Sequence, residues 1–327
     1  MADREKLAAY GAWAAVCFFW GTTYLAIRVG LETMTPMLFA GLRFLIAGGV
    51  LFFVMGRQRN ARLPQGREWL NLAFVGLMLL GVGNGAVVWA EQWVPSGMAS
   101  LLVATSPFWV VALEKFRKDG ERVGVRGVVG MLVGFVGLGL LLAPQLFDAS
   151  VSAYLLLGAL AIQVGCVAWT AGSVYAKHRP VGVAPLMGAA VQMLIAGAVL
   201  TLFGTFLGEW GEMRFSTRSA GALAYLVVFG SIVAYSAYTY ALQKLPLSLV
   251  STYSYINPVI AVLLGWLVLA EPLDWRVGAA TAIILAGVAL LKASPRELAA
   301  LAARLRAWRE RRVAARDADD SLGVACD

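Results

Sequence analysis

Charged residues and histidine are scarce in this chain of 327 residues. Only 14% of the residues are charged, one is histidine, and 60% are hydrophobic. Soluble domains carry about a quarter charged and about half apolar residues, so the composition excludes a water-soluble globule. With His178 as the only histidine, either a histidine metal site or a catalytic triad is hard to build. We therefore predict that the protein is not an enzyme.

Cysteine is also rare, and the three cysteines follow no functional spacing. Cys17, Cys166 and Cys326 are odd in number and far apart, which predicts neither a disulfide framework nor a metal site. The glycine-rich stretch 81–85 resembles a nucleotide-binding loop, but it lies inside an apolar run rather than after a strand. The sequence thus predicts no catalytic residue, no metal, no cofactor and no nucleic-acid partner.

Long apolar runs are what the chain has in abundance. A transmembrane helix needs about 20 mostly apolar residues, and the runs between polar, proline or glycine interruptions predict ten such spans. The short alternating segments of a β-barrel are missing from the sequence. The predicted spans 1 to 10 cover residues 8–30, 35–56, 69–91, 97–115, 124–142, 152–176, 184–207, 219–243, 248–270 and 275–292.

Basic residues are concentrated in alternate loops. A cytoplasmic N-terminus puts all of the 27 Lys and Arg residues on the inside except Arg28, Arg43, Arg214, Arg218 and Arg276. By the positive-inside rule, both termini are predicted to be cytoplasmic. The tail, residues 293–327, alternates leucines with arginines at helical spacing, which favours an amphipathic helix on anionic lipids. The alternative is a solvated basic tail that contributes only to topology.

The two halves of the chain repeat each other. Residues 45–51 recur, with one substitution, as residues 194–200, which is an offset of 149 residues. Such an ordered series of matches indicates an internal duplication. The same or a nearly equal offset relates Trp20 to Trp169, Pro36 to Pro185, Pro95 to Pro246, Pro107 to Pro258, and Glu121 to Glu271.

Each repeat holds five predicted spans, so the second copy must enter the membrane in the opposite orientation. We therefore predict an all-α integral membrane protein of two inverted five-helix repeats, residues 8–142 and 152–292. Inverted repeats are an architecture of secondary transporters, whose substrate site lies near the midplane between the halves. The alternative is a duplicated bundle with no role in transport.

An ordered set of motifs resembles a known transporter family. The motifs are Trp20-Gly21-Thr22-Thr23-Tyr24, Pro36, Leu42-Arg43-Phe44-Leu45-Ile46-Ala47, Val94-Pro95-Ser96-Gly97-Met98-Ala99, Ser106-Pro107 and Glu121. They resemble the EamA family of the drug/metabolite transporter superfamily over residues 8–292. The stretches Gly83-Asn84-Gly85, Ala90-Glu91-Gln92 and Tyr255-Ile256-Asn257-Pro258-Val259, with Glu271, are most similar to its YedA-like subgroup.

The resemblance implies an exporter of amino acids or other small metabolites in the bacterial inner membrane. It also implies a central cavity lined mainly by helices 1, 3, 4, 6, 8 and 9. A proton-coupled efflux pump for cationic drugs is the alternative, and it would require an acidic residue within the cavity. The substrate, the coupling ion and the choice between monomer and homodimer stay open.

Polar and aromatic residues at helical spacing are the candidate substrate contacts. In span 8, Tyr235 and Tyr238 share a face, and in span 9 Ser251 and Tyr255 do the same. Hydroxyl groups facing lipid would be unfavourable, so these faces should point inward. Bonding between helices is the alternative use of such hydroxyls. Further candidates are Trp20, Tyr24, Asn84, Trp169 and Asn257, with the two tryptophans as gates or cavity walls.

Four other residues are assigned separate roles. Pro107 and Pro258 remove a backbone hydrogen bond at matching mid-span positions, which predicts a hinge pair or simple packing kinks. Glu91 is placed near the outer end of span 3, as a coupling residue or, preferably, a solvated residue at the mouth. Arg43 is predicted to be a structural charge, with Glu32 as one possible partner.

Overall fold

The computed structural model describes residues 2–58, 62–115, 125–147 and 153–292, and within these ranges it contains helices and no strands. The all-α prediction is therefore confirmed for this part of the chain. We number the helices in chain order and count a helix interrupted by a turn once. They are α1 (Ala2–Gly30), α2 (Pro36–Gly56), α3 (Arg67–Ala90), α4 (Ser96–Val103 and Ser106–Lys115), α5 (Val125–Phe147), α6 (Ala153–His178), α7 (Pro185–Phe206), α8 (Thr217–Lys244), α9 (Leu247–Val250 and Tyr253–Leu269) and α10 (Trp275–Lys292).

Seven of these helices, α1 to α4 and α6 to α8, are long and apolar enough to cross a membrane, and shorter apolar stretches lie in α5, α9 and α10. Large apolar side chains such as Phe206 and Trp275 are exposed on the outer surface. Exposed apolar area of this extent fits contact with lipid rather than with water. The predicted tail and the residue Glu121 lie outside the described residues.

Helix α1 begins at Ala2, six residues before the predicted span 1. Its first turns contain Arg4, Glu5 and Lys6, which are good helix formers but too polar to be counted in an apolar run. The sequence pattern therefore located the apolar part of the helix and missed its polar beginning.

The two prolines predicted as a symmetric hinge lie in unequal surroundings. Pro107 is the second residue of the second piece of α4, where its missing N–H is tolerated. Pro258 lies in the interior of Tyr253–Leu269. Pro107 therefore follows an interruption inside the span Ser96–Leu113, whereas Pro258 lies in continuous helix, and the assignment of the pair as a hinge stays a prediction.

Two segments of π-helix repeat at the offset of the duplication. Leu77–Asn84 in α3 and Leu226–Val233 in α8 are both π-helical, and both ends are 149 residues apart. π-Helix is rare and is found often at functional sites. Its recurrence shows that the two halves share a local backbone feature as well as sequence.

Helices α2 and α7 pack in backbone contact, and glycine makes this possible. A Cβ atom on Gly197 would lie 2.7 Å from the backbone nitrogen of Leu45, and one on Gly48 would lie 2.9 Å from that of Leu194. Small residues at helix interfaces compensate in lipid for the lack of a hydrophobic driving force. Helices α5 and α10 approach in the same way, since a Cβ on Gly287 would lie 2.5 Å from the nitrogen of Gly134.

The central helices pack in a reciprocal pattern. Helix α1 contacts α8 and α9, while α6, its counterpart in the second half, contacts α3 and α4. Each half therefore inserts its first helix between helices of the other half. This arrangement puts residues of α1, α3, α6 and α8 around one central space.

Two glutamates join the halves at helix N-termini. Glu271, just after α9, accepts hydrogen bonds from the backbone nitrogens of Ser96 (2.8 Å) and Gly97 (3.1 Å) and from the Ser96 hydroxyl (2.8 Å). Glu209 accepts from the backbone nitrogens of Met37 and Leu38 at the start of α2. Carboxylates are favourable there because the first amides of a helix are unpaired and carry partial positive charge.

Candidate functional site

A central cavity lies where the two halves meet, and its volume is about 70 Å³. That is room for a few water molecules, and it is smaller than the roughly 300–1,000 Å³ of ordinary ligand sites. In this conformation the central cavity is therefore too small for an ordinary ligand. The predicted site residues that line it are Trp20, Tyr24, Asn84, Trp169, Tyr235 and Asn257.

Aromatic rings form one wall of the central cavity. The rings of Trp20 and Trp169 meet edge to face at 5.3 Å, and Trp20 also meets Tyr253 at 4.9 Å. The indole nitrogen of Trp20 donates to the carbonyl oxygen of Gly230 at 3.1 Å. Edge-to-face pairs that are also hydrogen-bonded fix ring orientation, so this wall is preorganised.

A larger second cavity, the vestibule, has a volume of about 350 Å³. Lys177 and Arg179 line it, together with Asn71 near the start of α3. These residues belong to loops and helix ends that the sequence predicts to be cytoplasmic. The vestibule therefore opens toward the basic end of the molecule.

Two hydrogen bonds link residues of the central cavity to residues of the vestibule, and a third joins Tyr238 of the vestibule to Ser173. The Tyr235 hydroxyl donates to Oε1 of Gln192 at 2.6 Å. The Tyr238 hydroxyl lies 2.8 Å from the Ser173 hydroxyl and accepts from the Trp169 indole at 3.3 Å. We call these five side chains the partition.

Three of the predicted contacts lie outside the central cavity. Tyr238 belongs to the partition and lines the vestibule. Ser251 is buried at the interruption of α9, where its carbonyl accepts from the Ser254 hydroxyl at 2.8 Å. Tyr255 is half-buried in α9 and is not among the lining residues. The shared helix face was therefore a poor guide in α9, because the helix is interrupted after Val250.

Arg43 lines the central cavity and is only 2% exposed. Its Nε donates to the Ser231 hydroxyl at 2.8 Å. The predicted partner Glu32 instead pairs with Arg218 at 3.2 Å, and both of those side chains are largely exposed. The predicted Glu32 partnership is therefore wrong, because Glu32 lies past the end of α1 at the surface while Arg43 is two turns inside α2.

Glu91 is fully buried, although the sequence favoured a solvated position at the mouth. Among the described residues, neither oxygen of its carboxylate has a hydrogen-bond partner. Its backbone carbonyl oxygen accepts a hydrogen bond from the guanidinium of Arg28. Because the Glu91 side chain is buried at the end of α3, the prediction of a solvated position at the mouth is wrong. Its assignment as a coupling residue stays a prediction.

The lining of the central cavity contains several residues that the sequence did not single out. Thr23, Phe44, Gly83 and Tyr253 all line it. Within the described ranges, no carboxylate lines this cavity, and no cluster of three potential metal ligands occurs. Its lining is aromatic and apolar with a few amides and hydroxyls and one guanidinium, which suits a small amphipathic molecule.

The sequence matches the model of the EamA-like transporter family twice, over residues 8–143 and 156–293. It is 38% identical to the uncharacterized inner membrane transporter YedA of Escherichia coli strain K12, covering 81% of this chain and 84% of that protein. It is 25% identical to the uncharacterized transporter YoaV of Bacillus subtilis strain 168, covering 84% of this chain and 93% of that protein.

A known crystal structure has the same fold. It superimposes with a TM-score of 0.64 and covers 87% of this chain and 96% of its own, at 22% sequence identity. At that identity the likeness concerns the arrangement of helices alone. It supports the helix order described above and carries no information on the transported molecule.

Proposed function

The chain belongs to the EamA-like transporter family and is a membrane transporter rather than an enzyme, and from this premise we propose that it exports small amphipathic metabolites. Amino acids are the leading class. Export proceeds by alternating access through the central cavity. The protein lies in a bacterial inner membrane with both termini in the cytoplasm, in keeping with its basic loops and with its likeness to YedA.

The composition of the central cavity carries this proposal. Trp20 and Asn84 come from the first half, and Trp169, Tyr235 and Asn257 come from the second. Aromatic rings pack an apolar side chain, while amide and hydroxyl groups bond to polar substrate atoms. A site shared by two halves changes shape when the halves move, which is what alternating access requires.

The proposed architecture is two inverted five-helix repeats, residues 8–142 and 152–292. Two matches to one family model, the paired π-helical segments and the reciprocal packing of α1 and α6 support it. Inversion follows from the odd number of spans in each repeat. In transporters of this kind the site lies between the repeats near the membrane midplane.

The partition and Glu271 give the proposed cycle its two barriers. The partition lies between the central cavity and the vestibule, on the cytoplasmic side of the proposed orientation. Glu271 joins α9 to α4 at the opposite end. Loading from the cytoplasm requires the Tyr235–Gln192 bond to open while Glu271 stays bound, and release requires the reverse.

Substitution Tyr235→Ala is expected to abolish saturable counterflow of amino acids in proteoliposomes, because it removes a cavity wall and the bond to Gln192. The assay uses vesicles preloaded with a pool of labelled amino acids. Tyr10→Ala is the matched control, since Tyr10 is 48% exposed on α1 and should be dispensable. Counterflow that survives Tyr235→Ala would contradict the assignment of the site.

Glu91 provides the test against a proton-coupled pump for cationic drugs. Because its carboxylate does not line the cavity, Glu91→Gln is expected to leave amino-acid counterflow within about twofold of wild type. It should also leave the response to an imposed pH gradient unchanged. A pump that uses Glu91 for coupling would lose proton-driven uptake of cations in the same variant, and that result would favour the alternative.

A further inference from the structure

We propose that Arg43 determines specificity by binding a carboxylate of the transported molecule, and that Asn84 accepts a hydrogen bond from an N–H group of the same molecule. Both residues line the central cavity. The inference rests on the proposed transport function and narrows it to compounds that carry a carboxylate next to a nitrogen donor, such as free amino acids.

The guanidinium of Arg43 has unused hydrogen-bonding capacity. Nε is bound to Ser231, and the group lies 4.9 Å from the centre of the Phe44 ring. Nη1 is buried and has no hydrogen-bond partner in the described part of the chain. An unsatisfied buried donor is unfavourable, and more so when it is charged. A ligand that supplied an acceptor would remove that penalty.

No carboxylate of the described residues forms an ion pair with Arg43. Glu32, the nearest candidate in sequence, pairs with Arg218. Glu91 interacts with Arg43 only at longer range, since neither of its oxygens accepts a hydrogen bond within the described chain. The guanidinium fork matches a carboxylate in shape and charge. A bound carboxylate would therefore provide the direct partner that the protein itself does not.

The internal repeat argues against a purely structural role for this charge. The residue 149 positions after Arg43 is Gln192, which is also buried and also faces α8 through its bond to Tyr235. The fold thus accepts a neutral side chain at the equivalent position of α7. What differs between the halves is that Arg43 lines the central cavity while Gln192 lines the vestibule.

Asn84 complements Arg43 on the side of α3. Its Oδ1 is buried and accepts no hydrogen bond from any described residue. An amide oxygen is an acceptor only, so its natural partner is an N–H donor. With Arg43 on one helix and Asn84 on another, the cavity presents a donor for a carboxylate and an acceptor for a nitrogen. The tryptophan wall is left for the apolar side chain.

The test compares acids with their neutral amides. Counterflow by purified protein is inhibited with phenylalanine, leucine and threonine, each paired with its carboxamide. Wild type is expected to prefer each transported acid over its amide by about tenfold or more, as for a site built to bond a particular group. Arg43→Gln should reduce this preference to about twofold or less. Arg218→Gln, the same change at a surface arginine, should keep it.

Two further variants distinguish a loss of carboxylate binding from a loss of folding. Arg43→Lys keeps the charge and is expected to keep a preference for acids with weaker binding. Ser231→Ala frees Nε and should weaken inhibition by acids several-fold while amides are unaffected. An unchanged acid preference in folded Arg43→Gln would overturn the proposal. So would a wild type that transports acids and amides equally.

A binding measurement separates this inference from the transport function. Thermal unfolding of the detergent-solubilised protein is recorded with the same acids and amides, since a ligand of the folded state raises the midpoint. Stabilisation by acids that disappears in Arg43→Gln, without counterflow in wild type, would keep the site and reject transport of these compounds. Neither stabilisation nor counterflow by any acid would overturn the carboxylate site.

Discussion

Leucine in place of Gly197 is expected to destabilise the protein by about 3 kcal/mol or more, or to prevent its accumulation. A Cβ there would lie 2.7 Å from the backbone nitrogen of Leu45 and 3.0 Å from the carbonyl oxygen of Gly41. Both neighbours are main-chain atoms of α2, so no side chain can rotate away. The two helices would have to separate, and with them a large part of the interface between the halves.

Gly49→Leu is the matched control for that experiment. Gly49 lies on the same pair of interacting helices, one residue after the equivalent Gly48, and a Cβ there meets no atom within 4 Å. The comparison is the yield of monodisperse protein and the midpoint of thermal unfolding in detergent. Equal behaviour of the two variants would mean that α2 and α7 are not in backbone contact.

Alanine in place of Glu271 is expected to cost about 3 kcal/mol of stability and to abolish counterflow. The substitution removes the acceptor for two backbone amides and a hydroxyl at the start of α4. Ser96 is fully buried, so water cannot replace the carboxylate without a local opening. Ala270, at φ 53°, adopts the left-handed conformation that ends α9 and turns Glu271 back toward α4.

Asp274→Ala is the control in the same connection. Asp274 accepts a hydrogen bond from the backbone nitrogen of Val277 at the start of α10, but it is exposed and local. Loss of a cap of this kind costs about 1 kcal/mol and should leave counterflow intact. If the two variants lost stability equally, the hydrogen bonds from α4 to Glu271 would stabilise the protein no more than the local cap at Asp274 does.

Helix positions could be predicted from the sequence because they follow from local patterns, and the repeat related Trp20 to Trp169 without predicting that their rings meet. Predicted spans 2 and 7 differ from α2 and α7 by one residue at most at either end. Trp20 and Trp169 occupy the same position in each repeat, and helices that cross near a symmetry axis bring equivalent residues together. Apolar runs bounded by proline or glycine indicate where a helix begins and ends, even when the helices that pack against it are unknown.

Features that depend on neighbouring helices could not be predicted from the sequence. Glu91 follows an apolar run, a pattern that also fits a residue exposed at a helix end, yet its side chain is fully buried. Arg43 was assigned a partner by proximity in sequence, whereas its bond is to Ser231 on α8. The π-helical segments have ordinary helix-forming sequences, and their extra residue alters which side chains share a face across them.

The unequal pair Arg43 and Gln192 has a consequence for how such a molecule arises. A dimer of two identical five-helix chains would have to carry the same residue at both positions. Joining the copies in one gene removes that constraint, because each copy then mutates separately. Arg43 and Gln192 are therefore a divergence between repeated positions that a single chain carrying both copies permits and a homodimer of identical chains does not.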